Sequence, residues 1–279
     1  MSSAGCIGEA WRQAARRIDR LDARLLLEHV SGCTHADLIA HPERGIGETE
    51  ARCFERLVSR REAGEPLAYL VGCAWFYGLE FAVTPAVLIP RPDTEVLVDL
   101  AVQRVRGMES PRILDLGTGS GIVAILIARL SAQSAVTAVD LSAAALEVAR
   151  ANATRHGVSI RFVEGDWYAS LGNERFDLIV SNPPYVVEGD PHLQQNGLPF
   201  EPRTALTDGI AGGDGLACIR SIIAGASGHL RPGGWLLMEH GYDQAVEVRR
   251  LLQTAGFGEV NSWRDTAGIE RVSGGRISS

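Results

Sequence analysis

From Arg112 to the C-terminus, short apolar runs rich in β-branched residues alternate with stretches of helical spacing, and few folds accept that alternation. Ile113–Asp115, Val136–Val139, Ile160–Val163, Phe176–Ser181 and Trp235–Met238 read as strands. Helices are expected from Ile122 to about Leu130, from an N-cap at Ser142 to about His156, from Gly215 to Ser227, and from about Gln244 to Ala255. Val260, Trp263 and then Ile269–Val272 read as a closing hairpin. The alternation implies an α/β fold, a doubly wound and mostly parallel sheet. Ligands of such sheets sit at the carboxyl ends of the strands, beside the switch point in strand order.

The first strand runs into Asp115-Leu116-Gly117-Thr118-Gly119-Ser120-Gly121. Glycines there let the backbone turn tightly and approach a ligand ahead of a helix N-terminus. A dinucleotide fingerprint spaces its glycines Gly-x-Gly-x-x-Gly, and Ile122 stands where its last glycine belongs. Alone, the loop is weak evidence and fits a merely structural strand–helix turn. Asp140 ends the next strand, where a carboxylate can take both hydroxyls of a ribose, and the third strand ends at Gly165-Asp166-Trp167, an acid and an aromatic ring suited to adenine. Together these point to an adenosine ligand without a phosphate tail. S-adenosylmethionine fits, with Asp115 or a neighbouring carbonyl near its ammonium group.

One strand further on, Phe176–Ser181 stops at Asn182-Pro183-Pro184-Tyr185. The prolines cannot donate to a ladder and have fixed φ angles, so the strand exit is rigid and its carbonyls point away from the sheet. A bare Asn-Pro is an ordinary turn. Two prolines and an aromatic after a buried strand make a corner that suits a planar NH2 group: the Asn182 oxygen and a freed carbonyl accept its hydrogens, while Tyr185 covers a face. This places an acceptor amine against the methyl donor.

The region from Ile7 to about Ala63 reads as a helical bundle, with Leu21, Leu25, Leu26 and Val30 and then Phe54, Leu57 and Val58 at helical spacing. It contains no candidate catalytic group. Its Arg-rich pieces (Arg12, Arg16, Arg17; Arg56, Arg60, Arg61) read as solvated helix faces, or as a docking surface for a partner. Tyr69–Gly72 and Phe76–Val83 read as short strands around a turn, Val87–Asp93 as an extended segment, and Thr94–Val105 as a helix capped by Asp93 or Thr94. The expected division is a helical domain over 1–63, a β-hairpin linker over 64–92 and a catalytic domain over 93–279. A net charge of −7 argues against nonspecific attraction to nucleic-acid backbones. The five cysteines are scattered without a Cys-x-x-Cys pair, so neither a disulfide framework nor a metal site is expected. Without a signal peptide or a long apolar run, the chain is expected to be a soluble cytoplasmic monomer.

The sequence resembles the peptide chain release factor glutamine N5-methyltransferases. The resemblance rests on Gly64–Tyr69, on Leu88-Ile89-Pro90-Arg91-Pro92-Asp93-Thr94-Glu95, on Asp115–Gly121 and on Val180–Tyr185. Phe200–Arg203, Gly212–Leu216 and Glu239-His240-Gly241 add to it, so it spans most of the chain from about Arg60 onward. Asn-Pro-Pro-Tyr is shared with other amino-group methyltransferases, whereas Ile-Pro-Arg-Pro-Asp-Thr-Glu narrows the choice. The resemblance implies methylation of the glutamine amide nitrogen in the Gly-Gly-Gln motif of class I release factors. It implies that Asn182 and the Pro183 carbonyl hold that amide, with Pro184 and Tyr185 beside them, and that the cofactor lies on Gly117–Gly121, Asp140, Trp167 and Asn182. A DNA adenine-N6 methyltransferase is the alternative, opposed by the acidic charge and the lack of a basic target-recognition segment. A non-catalytic binding protein on a relict fold is a further one, opposed by the intact motifs.

Overall fold

The structure, a computed structural model, describes residues 5–278. The chain divides into two compact units: one ends at Cys73 and includes Gln194–Phe200, and the other takes Ala74–Leu193 and the chain from Glu201 onward.

The first unit is helical: α1 (Ile7–Ala14), α2 (Arg20–Ser31), α3 (His35–Ala40), α4 (Glu48–Glu62) and α5 (Leu67–Val71). Asp19 caps α2 by accepting from the Leu21 and Asp22 amides, and Thr34 and Asp37 form a capping box on α3. The apolar stripes meet in one core of Ile7, Leu26, Leu27, Phe54, Leu57, Val58 and Leu70. Three of the arginines read as solvated are tied down within the unit. Arg17 bonds Glu55 and Glu62, Arg61 bonds Asp22, and Arg60 bonds Glu65. The expected strand at Tyr69–Gly72 is instead α5, started by Pro66 at its N-cap and stopped by Gly72 at φ +78°. The first compact unit therefore carries α5 with the other helices and runs to Cys73.

In the second unit β1 (Cys73–Phe76) and β2 (Leu79–Ala82) form a hairpin, followed by α6 (Glu95–Val105). Then come β3 (Arg112–Leu116), α7 (Ile122–Leu130), β4 (Ala135–Asp140), α8 (Ala143–Arg155), β5 (Arg161–Glu164) and β6 (Phe176–Ser181). A short parallel pair, β7 (Val186–Glu188) and β8 (Thr207–Ala211), was not foreseen. α9 (Ala217–His229), β9 (Leu230–Glu239), α10 (Ala245–Thr254), β10 (Phe257–Arg264) and β11 (Glu270–Ile277) complete the chain.

Seven strands form one sheet in the order β10-β11-β9-β6-β3-β4-β5, parallel except for the terminal hairpin. One face packs on α6 and α7, through residues such as Val98, Ala101, Ile125 and Leu126. The other packs on α9 and α10, through Ile219, Ile222, Val248 and Leu252. This is the doubly wound α/β architecture that the strand–helix alternation implies. The order reverses at β3, whose neighbours are β4 and β6, and the register sets three strand ends level. Leu116 pairs with Val139 and with Ser181, and Ser181 pairs with Met238. Asp140, Asn182 and Glu239 therefore emerge side by side at the carboxyl edge.

Candidate active site

At that edge lies a cavity of ≈ 560 Å³, within the size range of small-molecule sites. Asp115, Gly117, Thr118, Gly119, Ser120, Asp140, Asp166, Trp167, Asn182 and Pro184 all line it. Three of the candidate residues do not: Gly121, Pro183 and Tyr185.

The glycine loop is held from both ends. Gly117, Gly119 and Gly121 have φ of +69°, +54° and +83°, values that side chains beyond glycine rarely adopt. The Asp140 carboxylate accepts from the Gly119 amide at 2.8 Å and from the Ser142 amide at 2.9 Å, so it shapes the loop besides facing the cavity. Burial raises its pKa above the usual value, and these backbone bonds pull it back. Gly121 serves packing: a Cβ there would stand 3.0 Å from that of Ala149 on α8. Asn152, also on α8, donates to the Ser120 carbonyl at 2.9 Å and exchanges two bonds with the Ala82 backbone, tying loop and hairpin together.

Asp115 is buried at the floor, where the Thr118 hydroxyl donates to it at 2.7 Å. Burial pushes its pKa up to about 7, opposed by that bond and by the Ala124 amide. Beside the loop, Trp167 holds a φ of +46°, costly for a bulky residue and of a kind that clusters at ligand clamps. A Cβ on Gly117 would come within 3.6 Å of its ring.

The Asn-Pro-Pro-Tyr corner differs from expectation in one respect. Asn182 and Pro184 face the cavity, but Tyr185 turns away from it. Its ring packs against the core on the α9–α10 face, and its hydroxyl donates to Glu239 Oε1 at 3.0 Å. Tyr185 therefore braces the corner from behind instead of covering an acceptor. The Asn182 amide donates to Thr94 Oγ1 at 3.2 Å. Thr94 occupies the N-cap position of α6, yet its side chain caps nothing there.

That contact explains a motif whose residues had no assigned role. In Ile89–Glu95 the Ile89 amide and the Arg91 guanidinium both bond Glu201, joining two walls of the cavity. Asp93 pairs with Arg271 at 3.0 Å, and Glu95 accepts from the Tyr77 amide at 3.1 Å. Sequence reasoning missed Thr94 and Arg91 in the lining, and Glu201, which holds Ile89 and Arg91, and Glu239, which holds Tyr185, behind it. The signal available for the first three was their place in Ile-Pro-Arg-Pro-Asp-Thr-Glu and Phe-Glu-Pro-Arg. His240 is fully buried between the Gly241 carbonyl and Ser273, with its pKa lowered mainly by burial, which is a structural role.

The donor set fits S-adenosylmethionine. Asp140 retains lone pairs for a ribose, the strained Trp167 ring lies by the loop, and a buried acid at the floor suits a cation. Among the described residues no helix is long and apolar enough to cross a membrane.

The chain also matches known proteins in family and in fold. Residues 93–196 match the family model of the methyltransferase small domain, and residues 9–72 match that of the PrmC N-terminal domain. The chain is 53% identical to a release factor glutamine methyltransferase of Bordetella pertussis, over 93% of this chain and 96% of that one. It is 48% identical to the protein of the same name from Xylella fastidiosa strain Temecula1, over 94% and 95%, and 41% identical to that of Salmonella typhimurium, over 93% and 92%. In fold it is similar to the T. thermophilus 16S rRNA N2 G1207 methyltransferase, with TM-score 0.55 and 20% identity over 74% of this chain and 49% of that one. It is also similar to a methyltransferase from Pyrococcus furiosus, with TM-score 0.54 and 20% identity over 81% and 98%.

Proposed function

Because the chain belongs to the release factor glutamine methyltransferase family, we propose that it methylates the side-chain amide nitrogen, N5, of the glutamine in the Gly-Gly-Gln motif of class I release factors. It is an S-adenosylmethionine-dependent methyltransferase. When bound, S-adenosylmethionine supplies a methyl group activated on a positively charged sulfur.

The observation that carries the reading is that Asn182 lines the same cavity as the glycine loop, Asp140 and Trp167. An amide nitrogen is a poor nucleophile because its lone pair is delocalised into the carbonyl. With Nδ2 engaged by Thr94, the Asn182 Oδ1 is the end left to accept one substrate N–H. In this reading the Pro183 carbonyl, just beyond the end of β6 and outside the lining of the cavity as it stands, takes the other. Two acceptors on the N–H bonds hold the nitrogen in line with the methyl and favour electron density on it. The nitrogen that gains the methyl becomes strongly acidic and gives up one N–H proton to water, so orientation and preorganised dipoles supply the acceleration and no strong base is needed. Asp115, Gly117, Thr118, Gly119, Ser120, Asp140, Asp166 and Trp167 hold the cofactor in this reading, and Gly121 shapes the loop from behind.

The N-terminal helices then serve as the substrate-binding domain. They fall, with Gln194–Phe200, in a compact unit separate from the sheet, and they match a family model separate from the catalytic one. We place substrate recognition there, with residues 64–92 as connector and 93–279 as the methyltransferase domain. The protein works as a cytoplasmic monomer in this account.

Labelled S-adenosylmethionine, incubated with the enzyme and separately with a purified class I release factor or duplex DNA, tests the reading. Label in the Gly-Gly-Gln peptide supports it, and label in DNA alone contradicts it. A KM for intact factor far below that for a short Gly-Gly-Gln peptide supports the domain assignment; equal values remove it.

A further inference from the structure

Both arginines in the wall of the cavity are neutralised from behind. The charged residues that line it are Asp115, Asp140, Asp166 and Asp208 on one side of the balance and Arg91 and Arg203 on the other. Each arginine meets a carboxylate that stands outside the lining. Arg91 bonds Glu201, whose side chain is 1% exposed and whose second oxygen accepts from the Ile89 amide at 3.0 Å. Arg203 bonds Glu188, which also accepts from the Thr207 hydroxyl. Three of the aspartates are held by neutral donors instead: Asp115 by the Thr118 hydroxyl, Asp140 by the Gly119 and Ser142 amides, and Asp208 by the Ile210 and Ala217 amides.

A charge on a low-dielectric wall acts on whatever occupies the cleft. S-adenosylmethionine carries a sulfonium, an ammonium and a carboxylate, and so a net positive charge. S-adenosylhomocysteine, the product left when the methyl departs, has a neutral thioether in place of the sulfonium and no net charge. The two differ little in shape, so charge is the main property by which a wall can tell them apart. A bare guanidinium in that wall favours the product. With both arginines neutralised, the aspartates set the sign. We infer that Glu201, and more weakly Glu188, are specificity-determining residues: by cancelling Arg91 and Arg203 they tilt the site toward the cationic cofactor and against its neutral product. Glu201 has the larger effect because its side chain is buried and less screened than that of Glu188, which is 24% exposed.

The inference rests on the cavity being the S-adenosylmethionine site, and affinities test it without turnover. Dissociation constants for S-adenosylmethionine and for S-adenosylhomocysteine are measured by calorimetry at pH 8, beside the thermal midpoint. The proteins are full-length wild type, Glu201→Gln, Glu188→Gln and the double variant Arg91→Gln/Glu201→Gln. Glu201→Gln keeps the shape and an acceptor for the Ile89 amide, but it leaves Arg91 uncompensated. Expected is a shift of the affinity ratio toward S-adenosylhomocysteine of about 3- to 10-fold, as one uncompensated charge at a high effective dielectric gives across such a cleft. Glu188→Gln should shift it the same way and by less. The double variant should return the ratio to within about twofold of wild type, because the charge that Glu201 cancels is then gone. An unchanged ratio in folded Glu201→Gln overturns the inference, and so do equal losses for both molecules, which a merely structural wall would give. A double variant that stays shifted also overturns it, since Arg91 would not be the cause. Should Glu201→Gln fail to fold, Glu188→Gln on the more exposed pair decides in the same way. A wild-type protein that binds neither molecule removes the cofactor reading itself, and this inference with it.

Discussion

Asn182 and Thr94 lie 88 residues apart in the chain and meet through one hydrogen bond, from the asparagine amide to the threonine hydroxyl at 3.2 Å. The contact joins the end of β6 to the start of α6 and holds a side chain that lines the cavity. It shows why a segment without obvious chemistry, Ile89–Glu95, belongs to the active site.

Asp140 has two tasks, and its removal should show both. Asp140→Ala takes an acceptor from the ribose and from the Gly119 and Ser142 amides. Charge-assisted bonds are each worth about 1.5–3 kcal/mol, so affinity for S-adenosylmethionine should fall by about 10- to 100-fold or more. Titration calorimetry checks this. Unchanged affinity in a folded variant removes Asp140 from the cofactor site.

Asn152 should matter for stability and not for chemistry. Asn152→Ala leaves the Ala82 amide and carbonyl and the Ser120 carbonyl without this partner. Stranding buried backbone groups costs about 2–4 kcal/mol here, which should lower the thermal midpoint on the order of 5–10 °C. A midpoint within a degree of wild type contradicts the tether.

The buried acids predict an unusual pH dependence. Unfolded, Asp115 ionises near 3.8 and Glu239 near 4.5; in the folded protein, burial lifts both to about 7. Raised values mean that the folded state keeps protons that the unfolded state has lost. Their contribution to stability is thus complete below about pH 4 and disappears as pH rises through about 7. His240, held neutral by burial, works the other way below pH 6.5. The cofactor-free protein should therefore lose thermal stability from pH 6.5 to pH 8, and less so as Asp115→Asn. A cation beside Asp115 favours its ionised form, so S-adenosylmethionine should bind more tightly at pH 8 than at pH 6. Equal affinities at both pH values would separate Asp115 from the cofactor's charge.

Much of the catalytic unit was legible locally. The strand and helix periods of β3, α7, β4, α8 and β6 are strong, and the glycine loop and the two prolines announce their backbone geometry by residue type. Tyr69–Val71 misled because aromatic and β-branched residues favour strands, while the deciding signals were Pro66 and Gly72 at the ends of α5. β7 and β8 escaped notice because they are short, irregular in register and paired across a long loop. The side chain of Tyr185 was misdirected for a related reason. Its target, Glu239, comes from β9, and only the sheet register brings the two together. Thr94 read as a helix cap; its use by Asn182 is a tertiary fact.

The most direct test of the account is single-turnover methylation of a purified class I release factor by Asn182→Ala, measured beside cofactor affinity and thermal midpoint, with Asn182→Asp for comparison. A carboxylate still accepts hydrogen bonds, but its charge attracts the sulfonium and it cannot donate to Thr94, so Asn182→Asp should retain activity between that of the alanine variant and wild type. For Asn182→Ala the account predicts a folded protein that keeps much of its S-adenosylmethionine affinity and loses most turnover, with the loss falling on kcat. A folded Asn182→Ala enzyme that methylates the release factor at a near-normal rate would contradict it.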